Sequence, residues 1–535
     1  MLARQSMPST AQIIDETTPK PPTLRGQNRV VRNVITNWGT YIVSMAVNFL
    51  LSPYVVRHLG NAGYGVWTLT LSLTGYLGLL DLGVRGAVTR YVAKFHSEEN
   101  HKKSSEVASS AAAIFGMAGV VAIVGSLIFA FVVIQHLQVP TQFLNSARIV
   151  LVVTGLNIAV SLINGVYGGI LVGLQRFDLT NGIEVSINLL RAGCIVSMLY
   201  LGYGIVALAL IQLAFTLLRW VANVQLARHL YPELKIRRNL VDRVGTKMIF
   251  SFSAYSFLMH VSASLIYASD NVVIGAFLPV SFVTLYVIGG NLVEYARTLV
   301  NSISQTLTPL ASSMEVRKDP KQLQRIVLIG SRWASMVILP VTCTFFLRGS
   351  SFIGLWMGKQ YAEASGQVLW VLSLTAMFWG ANCAVAGVLL GLSKHKPIVP
   401  ALIFEGIFNL LLSVFLVKRM GIIGVAWGTA IPSLTTSLLF WPWYIRRTLQ
   451  IPPFVYAVSA WIRPGVSLIP FALITYIIER FWPAQSLFLF FTQIALALPL
   501  ALFGYWIICL DREQRSEYSE KVSRSIGRTF ASAKG

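Results

Sequence analysis

The sequence predicts an all-α protein that crosses a membrane about fourteen times, and three observations lead to this fold class. Hydrophobic residues make up 55% of the 535 residues and charged residues only 12%, whereas soluble globular proteins carry about 25% charge. Apolar segments close to the roughly 20 residues that a helix needs to cross a bilayer recur along the chain. Lys and Arg fall mainly in alternate gaps between these segments, as the positive-inside rule describes.

The apolar segments and their flanking charges define an expected topology. We number the predicted segments 1 to 14, over residues 34–56, 62–80, 106–135, 147–172, 179–201, 204–227, 248–276, 281–308, 325–347, 365–391, 397–417, 422–445, 460–479 and 485–510. Both chain ends and the even-numbered gaps hold most of the 43 Lys and Arg residues, so both ends are expected in the cytoplasm. The connections 137–145, 202–203 and 278–280 contain no Lys or Arg and are expected outside.

An internal repeat divides these segments into two halves. Gly169-x-x-x-Gly173 matches Gly387-x-x-x-Gly391 at an offset of about 218 residues. Each half holds an even number of segments, so the halves should be related by a pseudo-two-fold axis along the membrane normal. The expected parts are a cytoplasmic tail (1–33), an N-terminal lobe (34–228), a basic cytoplasmic linker (229–247), a C-terminal lobe (248–447), two further helices (460–510) and a basic cytoplasmic tail (511–535). The glycine spacing of four predicts close helix packing.

Composition and missing motifs exclude several classes of function. The net charge of +22 comes largely from the basic cytoplasmic loops, which anionic lipids attract, so no nucleic-acid partner is predicted. The four cysteines lie inside apolar segments without disulfide or metal-ligand spacing, and no metal or cofactor is predicted. The G-x-x-x-x-G-K-[ST], H-E-x-x-H and G-x-S-x-G motifs are missing from the sequence. We therefore expect a protein that is neither an enzyme nor its own ATP-driven pump.

Two short motifs carry a resemblance to a known family. Leu59-Gly-Asn-Ala-Gly-Tyr-Gly-Val-Trp67 follows segment 1, and Leu79-Leu-Asp-Leu-Gly-Val-Arg-Gly-Ala87 follows segment 2. With the fourteen segments and the basic linker, they resemble the Wzx-type polysaccharide and O-antigen flippases of the MOP (multidrug/oligosaccharidyl-lipid/polysaccharide) exporter superfamily. Read physically, the glycines of the first motif allow a tight external turn. In the second motif Asp81 ends segment 2 and could pair with Arg85 or with the opening amides of the next segment.

The resemblance implies a function as well as a fold. It implies a cavity between two lobes and alternating-access translocation of an undecaprenyl-diphosphate-linked oligosaccharide across the bacterial inner membrane, for surface polysaccharide synthesis. Membrane lipids and, further, a polysaccharide polymerase and glycosyltransferases are the partners it suggests. Two alternatives stay open: an ion-coupled exporter of small amphiphiles, as in multidrug members, and a lipid II-type flippase.

Four predicted segments carry polar side chains at helical spacing, so each row lies on one helix face. The rows contain Asn37, Ser44 and Asn48 in segment 1; Glu184, Asn188 and Arg191 in segment 5; His260, Tyr267 and Asn271 in segment 7; and Asn291, Glu294, Arg297 and Asn301 in segment 8. Such a face should look at a water-filled cavity or a partner helix instead of lipid. We predict that the substrate cavity is lined by Arg191, Arg297, Asn37, Asn48, Asn188, Asn291 and Asn301.

The charges inside the segments allow two interpretations. Arg191 and Arg297 lie near the midplane, where a charge costs at least about 2.5–3.5 kcal/mol. Each could form an ion pair, with Glu184 and Glu294 respectively, or could meet the lipid diphosphate that the resemblance implies. Arg219 and Arg332 lie nearer the cytoplasmic ends and are expected to snorkel. Buried groups that alternate between protonated and charged forms can couple transport to a proton gradient, and the candidates are Glu184, Glu294, Glu405, Asp270 and His260.

Overall fold

The computed structural model describes residues 24–317, 319–392, 394, 396–512, 514–516 and 519–520. Side chains of residues 24–38, 251–256, 309, 313 and 315–317 lie outside this description. We number the α-helices α1 (Leu24–Gly75), α2 (Val84–Ser97), α3 (His101–Ile128), α4 (Thr141–Gly173), α5 (Phe177–Tyr200), α6 (Ile205–Leu230), α7 (Arg243–Tyr267), α8 (Ser269–Phe277), α9 (Ser281–Arg317), α10 (Pro320–Trp356), α11 (Lys359–Gly391), α12 (Ile398–Thr435), α13 (Trp441–Leu449), α14 (Pro453–Ala457), α15 (Arg463–Ser467), α16 (Ile469–Phe481) and α17 (Leu487–Gly504). Throughout the described residues the regular elements are helical, so the all-α prediction is confirmed.

The longest helices contain breaks at glycine. In α12, Gly421 has φ 59° and ψ −139°, a conformation that favours glycine. The chain reverses there, because the Asn409 amide donates to Thr429 Oγ1 over 3.0 Å, and Thr436 Oγ1 donates to Glu405 over 2.6 Å. Segments 11 and 12 therefore form an antiparallel helical hairpin. Gly60 interrupts α1 in the same manner, at φ 68° and ψ 172°.

Ten helical stretches in the described residues are long and apolar enough to span a membrane, or eleven if the bent pair Pro453–Ser467 and Ile469–Phe481 is one span. Two of the ten, Gly39–Ser97 and Ile398–Leu449, each contain two of the predicted segments. Helix α9, which carries the polar row of segment 8, is not among them. The multi-pass architecture is thus confirmed, while the number fourteen stays a prediction.

Equivalent contacts occur in the two sequence repeats. A Cβ added to Gly169 would lie 3.2 Å from the carbonyl oxygen of Arg85, and one added to Gly387 would lie 2.5 Å from that of Ser304. Gly173 approaches the carbonyl of Thr89 in the same way that Gly391 approaches that of Thr308. The glycine row therefore packs α4 against α2, as its spacing predicted, and the matching row packs α11 against α9.

Buried cores lie in both halves and continue into the C-terminal helices. One cluster includes Leu69 of α1, Leu151 of α4, Ile274 of α8, Ile353 of α10 and Phe471 of α16. Large apolar side chains of α3, among them Met117, Val120 and Val124, are exposed in the isolated chain. Because this exposed face is apolar, it is suited to contact lipid acyl chains.

Candidate substrate cavity and charge clusters

A polar cavity of about 280 Å³ lies in the C-terminal half of the bundle. Four of the predicted cavity and coupling residues line it together, namely Asp270, Asn291, Glu294 and Arg297. Tyr267, Asn271, Gly290 and Thr429 complete much of its wall. The sequence rows of segments 7 and 8 therefore meet around one cavity, which we call the C-half cavity.

Arg297 is the buried cation of the C-half cavity. Only 6% of the residue is exposed, and its Nη2 donates to Thr375 Oγ1 over 3.0 Å. Its Nε is buried and has no hydrogen-bond partner among the residues that the structure describes. The guanidinium lies 4.8 Å from the ring centre of Tyr267 and 5.6 Å from that of Trp379. Glu294 approaches only to 4.0 Å and its side chain is 59% exposed. The predicted pair exists, but it compensates the charge of Arg297 weakly, and the two aromatic faces add only part of the missing stabilisation.

Asp270 is buried at the start of α8, directly after α7 ends at Tyr267. Its Oδ2 accepts hydrogen bonds from the Tyr286 hydroxyl over 2.5 Å and from Thr429 Oγ1 over 2.8 Å. Its Oδ1 is buried and has no hydrogen-bond partner in the described part of the chain. The interruption between α7 and α8 places this carboxyl group in the first turn of a helix, where the helix dipole favours negative charge.

Glu405 lies inside the α12 hairpin and does not line the C-half cavity. It is 6% exposed and accepts from Thr436 across the hairpin. Asn409 and Ser413, one and two turns further along, also bond to the second arm of the hairpin, at Thr429 and at the Val425 carbonyl. This polar row therefore joins the two arms of the hairpin.

The charges of the N-terminal half form a different pattern from the one expected. Glu184 pairs with Arg219 through two contacts of 3.0 and 3.1 Å, not with Arg191. Asn188 connects the two arginines, because its Nδ2 donates to Glu184 over 3.3 Å and its Oδ1 accepts from Arg191 over 3.0 Å. The same Nδ2 donates to Ser44 Oγ over 3.0 Å, which joins the polar rows of segments 1 and 5. Arg219 is therefore held by an ion pair instead of simply snorkelling.

The remaining predicted residues lie apart from these clusters. Asn301 accepts a weak hydrogen bond from the thiol of Cys383 over 3.3 Å. Asn48 and His260 are exposed on α1 and α7, and neither lines the C-half cavity. Asn37 lies outside the described side chains.

Two buried arginines of α10 fasten the C-terminal helices. Arg348 is 1% exposed; its Nε donates to Glu479 of α16 and its Nη2 to Gln493 of α17, both over 2.6 Å. Sequence reasoning missed this residue because the apolar segment before it ends at 347. Arg332, 8% exposed, bonds to Ser459 and to the Cys509 carbonyl, so the snorkelling expected for it was wrong. Helices after residue 453 bury it.

The two halves are in close contact at the end predicted to be external. The Tyr361 hydroxyl donates to Asn61 Oδ1, and Thr284 Oγ1 donates to the Asn61 carbonyl over 2.7 Å. A Cβ added to Gly65 would lie only 2.1 Å from the carbonyl oxygen of Val280. We call these five residues the inter-half seal. Gly65 belongs to the glycine-rich motif after segment 1, and its role is close approach between the halves.

Comparisons with known proteins identify the class of fold. A lipid II flippase structure, MurJ in an inward closed conformation, aligns with a TM-score of 0.70 at 14% identity, covering 89% of this chain and 98% of that chain. An inward-facing multidrug resistance MATE family transporter of the MOP superfamily aligns with a TM-score of 0.66 at 15% identity, covering 78% and 99%. The fold is thus that of the MOP superfamily transporters.

The sequence comparisons identify the family. The family model described as "Polysaccharide biosynthesis protein" matches residues 30–315, which is more than half of the chain. A Shigella flexneri protein named "Putative O-antigen transporter" is 22% identical over 429 residues, covering 79% of this chain and 99% of that protein. The chain therefore belongs to the polysaccharide biosynthesis protein family, and the resemblance carried by the two motifs is confirmed. The second motif also has its expected pairing, since Arg85 Nε lies 3.5 Å from Asp81.

Proposed function

We propose that this protein is a flippase that moves a lipid-linked oligosaccharide, carried on undecaprenyl diphosphate, across the bacterial inner membrane. Membership of the polysaccharide biosynthesis protein family supports this proposal, as do the names of an O-antigen transporter among its relatives and of a lipid II flippase among its structural neighbours. Because the cargo is handed over between synthesis and polymerisation, glycosyltransferases and a polymerase would act before and after it.

The observation that carries the proposal is the state of Arg297. Burying a guanidinium until it is 6% exposed costs desolvation free energy in a low-dielectric bundle. A carboxylate at 4.0 Å offsets only a small part of that cost. A diphosphate in the C-half cavity would offset that cost with charge-assisted hydrogen bonds. The neutral polar wall of Asn291 and Thr429 suits sugar hydroxyls. Arg191 would meet the cargo from the N-terminal half, while Glu294 and Asp270 would tune or couple the cycle.

We further propose that the lobes 34–228 and 248–447 are related by a pseudo-two-fold axis along the membrane normal and rock against each other, with both chain ends in the cytoplasm. The equivalent glycine contacts of α4 with α2 and of α11 with α9 support a repeated lobe architecture. The seal between halves at the predicted external end supports an arrangement in which access from the cytoplasm comes first.

The test is glycan export in cells that lack their own flippase, measured beside protein abundance. Arg297→Gln should lower export roughly tenfold to a hundredfold, because it removes a charge-assisted contact worth about 1.5–3 kcal/mol. Arg297→Lys should restore part of it, since the charge stays but the planar fork is lost. Arg228→Gln, at an exposed arginine of α6, is the matched control. Normal export by Arg297→Gln, or a loss explained entirely by missing protein, would refute the role of Arg297.

A further inference from the structure

A second polar cavity, of about 370 Å³, lies in the N-terminal half between α2, α4, α5 and α6. It falls in the volume range of small-molecule pockets, roughly 300–1,000 Å³. Its wall contains Arg85, Glu184, Arg219, Asn164 and Asn223. We call it the N-half cavity. Arg85 belongs to the basic connection after segment 2, so this cavity lies toward the predicted cytoplasmic side.

The charges at the N-half cavity do not balance. Arg219 and Arg191 share one carboxylate, that of Glu184, the first directly and the second through Asn188. In the described part of the chain no ion pair joins Arg191 to a carboxylate of its own. Arg219 Nε is buried and has no hydrogen-bond partner among the described residues. One positive charge therefore remains uncompensated beside a cavity, where an anion would be stabilised.

The floor of the cavity is shaped by glycine. A Cβ added to Gly165 would lie 3.2 Å from Nε of Arg85, so a side chain there would push the guanidinium away. Apart from its own stretch of helix, no described atom lies within 4 Å of a Cβ added to Gly168, which leaves open space beside the arginines. Arg85 is half exposed and its partner Asp81 is 3.5 Å away, so it can turn toward a ligand at little cost.

The sequence repeat shows that this cluster is particular to one half. Arg85 corresponds to Ser304, because the two residues offer the same carbonyl contact to Gly169 and Gly387. At the same offset Arg219 corresponds to Leu438 and Glu184 to Ile403. The shared fold therefore does not require the two arginines, since the other half packs the corresponding helices with Ser304 and Leu438 in their places.

We infer that the N-half cavity is an anion site for a phosphate or diphosphate group, held by Arg85 and Arg219 with Arg191 behind them. Guanidinium groups bind phosphate oxygens with paired, charge-assisted hydrogen bonds, and the incoming anion would compete with Glu184 for Arg219. The group could belong to a lipid headgroup in the cytoplasmic leaflet or to a free phosphate compound. This site is separate from Arg297 and does not depend on which cargo the C-half cavity takes.

The experiment measures binding to the full chain in nanodiscs of neutral phosphatidylcholine, in an Arg297→Gln background that removes the cation of the C-half cavity. The probes are inorganic pyrophosphate in solution and a polyprenyl diphosphate incorporated in the disc. Arg219→Gln should weaken binding roughly tenfold or more, as expected for loss of a charged hydrogen-bonding partner. Arg228→Gln removes the same charge from the same helix outside the cavity and should bind normally.

A second variant distinguishes loss of the anion site from misfolding caused by changing the charge cluster. Gly168→Leu fills the cavity without changing charge and should abolish binding, whereas Gly116→Leu, at another open helical glycine, should not. Binding of the lipid probe alone identifies a headgroup, and binding of both probes identifies the phosphate itself as sufficient. The inference is overturned if neither probe binds, or if Arg219→Gln and Gly168→Leu bind as tightly as their controls. Normal glycan export by Arg297→Gln would refute the proposed role of Arg297 and would leave the inference about this site unaffected.

Discussion

Replacing Gly65 with alanine should force the inter-half seal apart. The new Cβ would lie 2.1 Å from the carbonyl oxygen and 2.9 Å from the carbonyl carbon of Val280, whereas ordinary contacts begin near 3.4 Å. The facing atoms are backbone and cannot rotate away, so the two halves must separate by about 1 Å or more at this point. Overpacking of this kind costs about 1–3 kcal/mol. That cost falls on the sealed arrangement alone and should shift access toward the outside roughly five- to 150-fold.

The assay is labelling of a cysteine placed at Gly290, which lines the C-half cavity and has open space around it. The four native cysteines are first replaced by serine or alanine, and intact cells are treated with a membrane-impermeant maleimide. Gly65→Ala should raise labelling from outside. Gly63→Ala is the matched control, because its Cβ would meet only Leu59 at 3.3 Å and a movable phenyl ring at 3.7 Å. If Gly65→Ala inserts normally and labels no faster than Gly63→Ala, the residue does not hold the halves together.

Three further outcomes are expected. Arg348→Met should lower the unfolding temperature strongly, because breaking a buried ion pair costs about 3–5 kcal/mol. Adding Glu479→Leu should restore much of the loss, and an equally low unfolding temperature in the single and double variants would contradict the pairing. A cysteine at Tyr203 should label from outside in intact cells, and a cysteine at Arg238 should label only after permeabilisation, as the positive-inside rule requires. The reverse result would invert the topology. Gly421→Ala should destabilise the α12 hairpin by about 1 kcal/mol or more because φ is 59° there, measured as a lower unfolding temperature, and an unchanged temperature would show that the turn tolerates a side chain.

The sequence predicted those features that depend on spacing along one helix or on composition. The glycine row, the pairing of Asp81 with Arg85 and the grouping of Asn291, Glu294 and Arg297 on one face of α9 follow from local helix geometry. The multi-pass fold follows from hydropathy because a bilayer sets the length of each helix. These inferences need no knowledge of which helices are neighbours.

The partners across helices could not be predicted in this way. Glu184 and Arg191 are on one face, yet they are about 10 Å apart along the axis because a helix rises 1.5 Å per residue. The cation nearest to Glu184 is Arg219 on the next helix, and only the packing of α5 against α6 brings the two side chains within 3.0 Å. Arg348 was missed for a related reason. A charge at the edge of an apolar segment resembles a loop residue until α16 and α17 cover it.

The two halves differ most where their charges lie, and this difference bears on how the transporter works. Backbone features recur between the repeats, such as the positive φ of Gly202 and Gly421 and the close approach of Gly169 and Gly387 to a carbonyl of a neighbouring helix. The charges do not recur. Arg297, in the C-terminal half, has aromatic neighbours and a carboxylate only at 4.0 Å, whereas the arginines of the N-terminal half share Glu184. If two rocking lobes had identical anion sites, an anionic cargo would bind to both with the same affinity. If both cavities bind anions as proposed, their unequal charges would give an anionic headgroup a different affinity in each half. A difference in affinity is what allows a ligand to shift a conformational equilibrium.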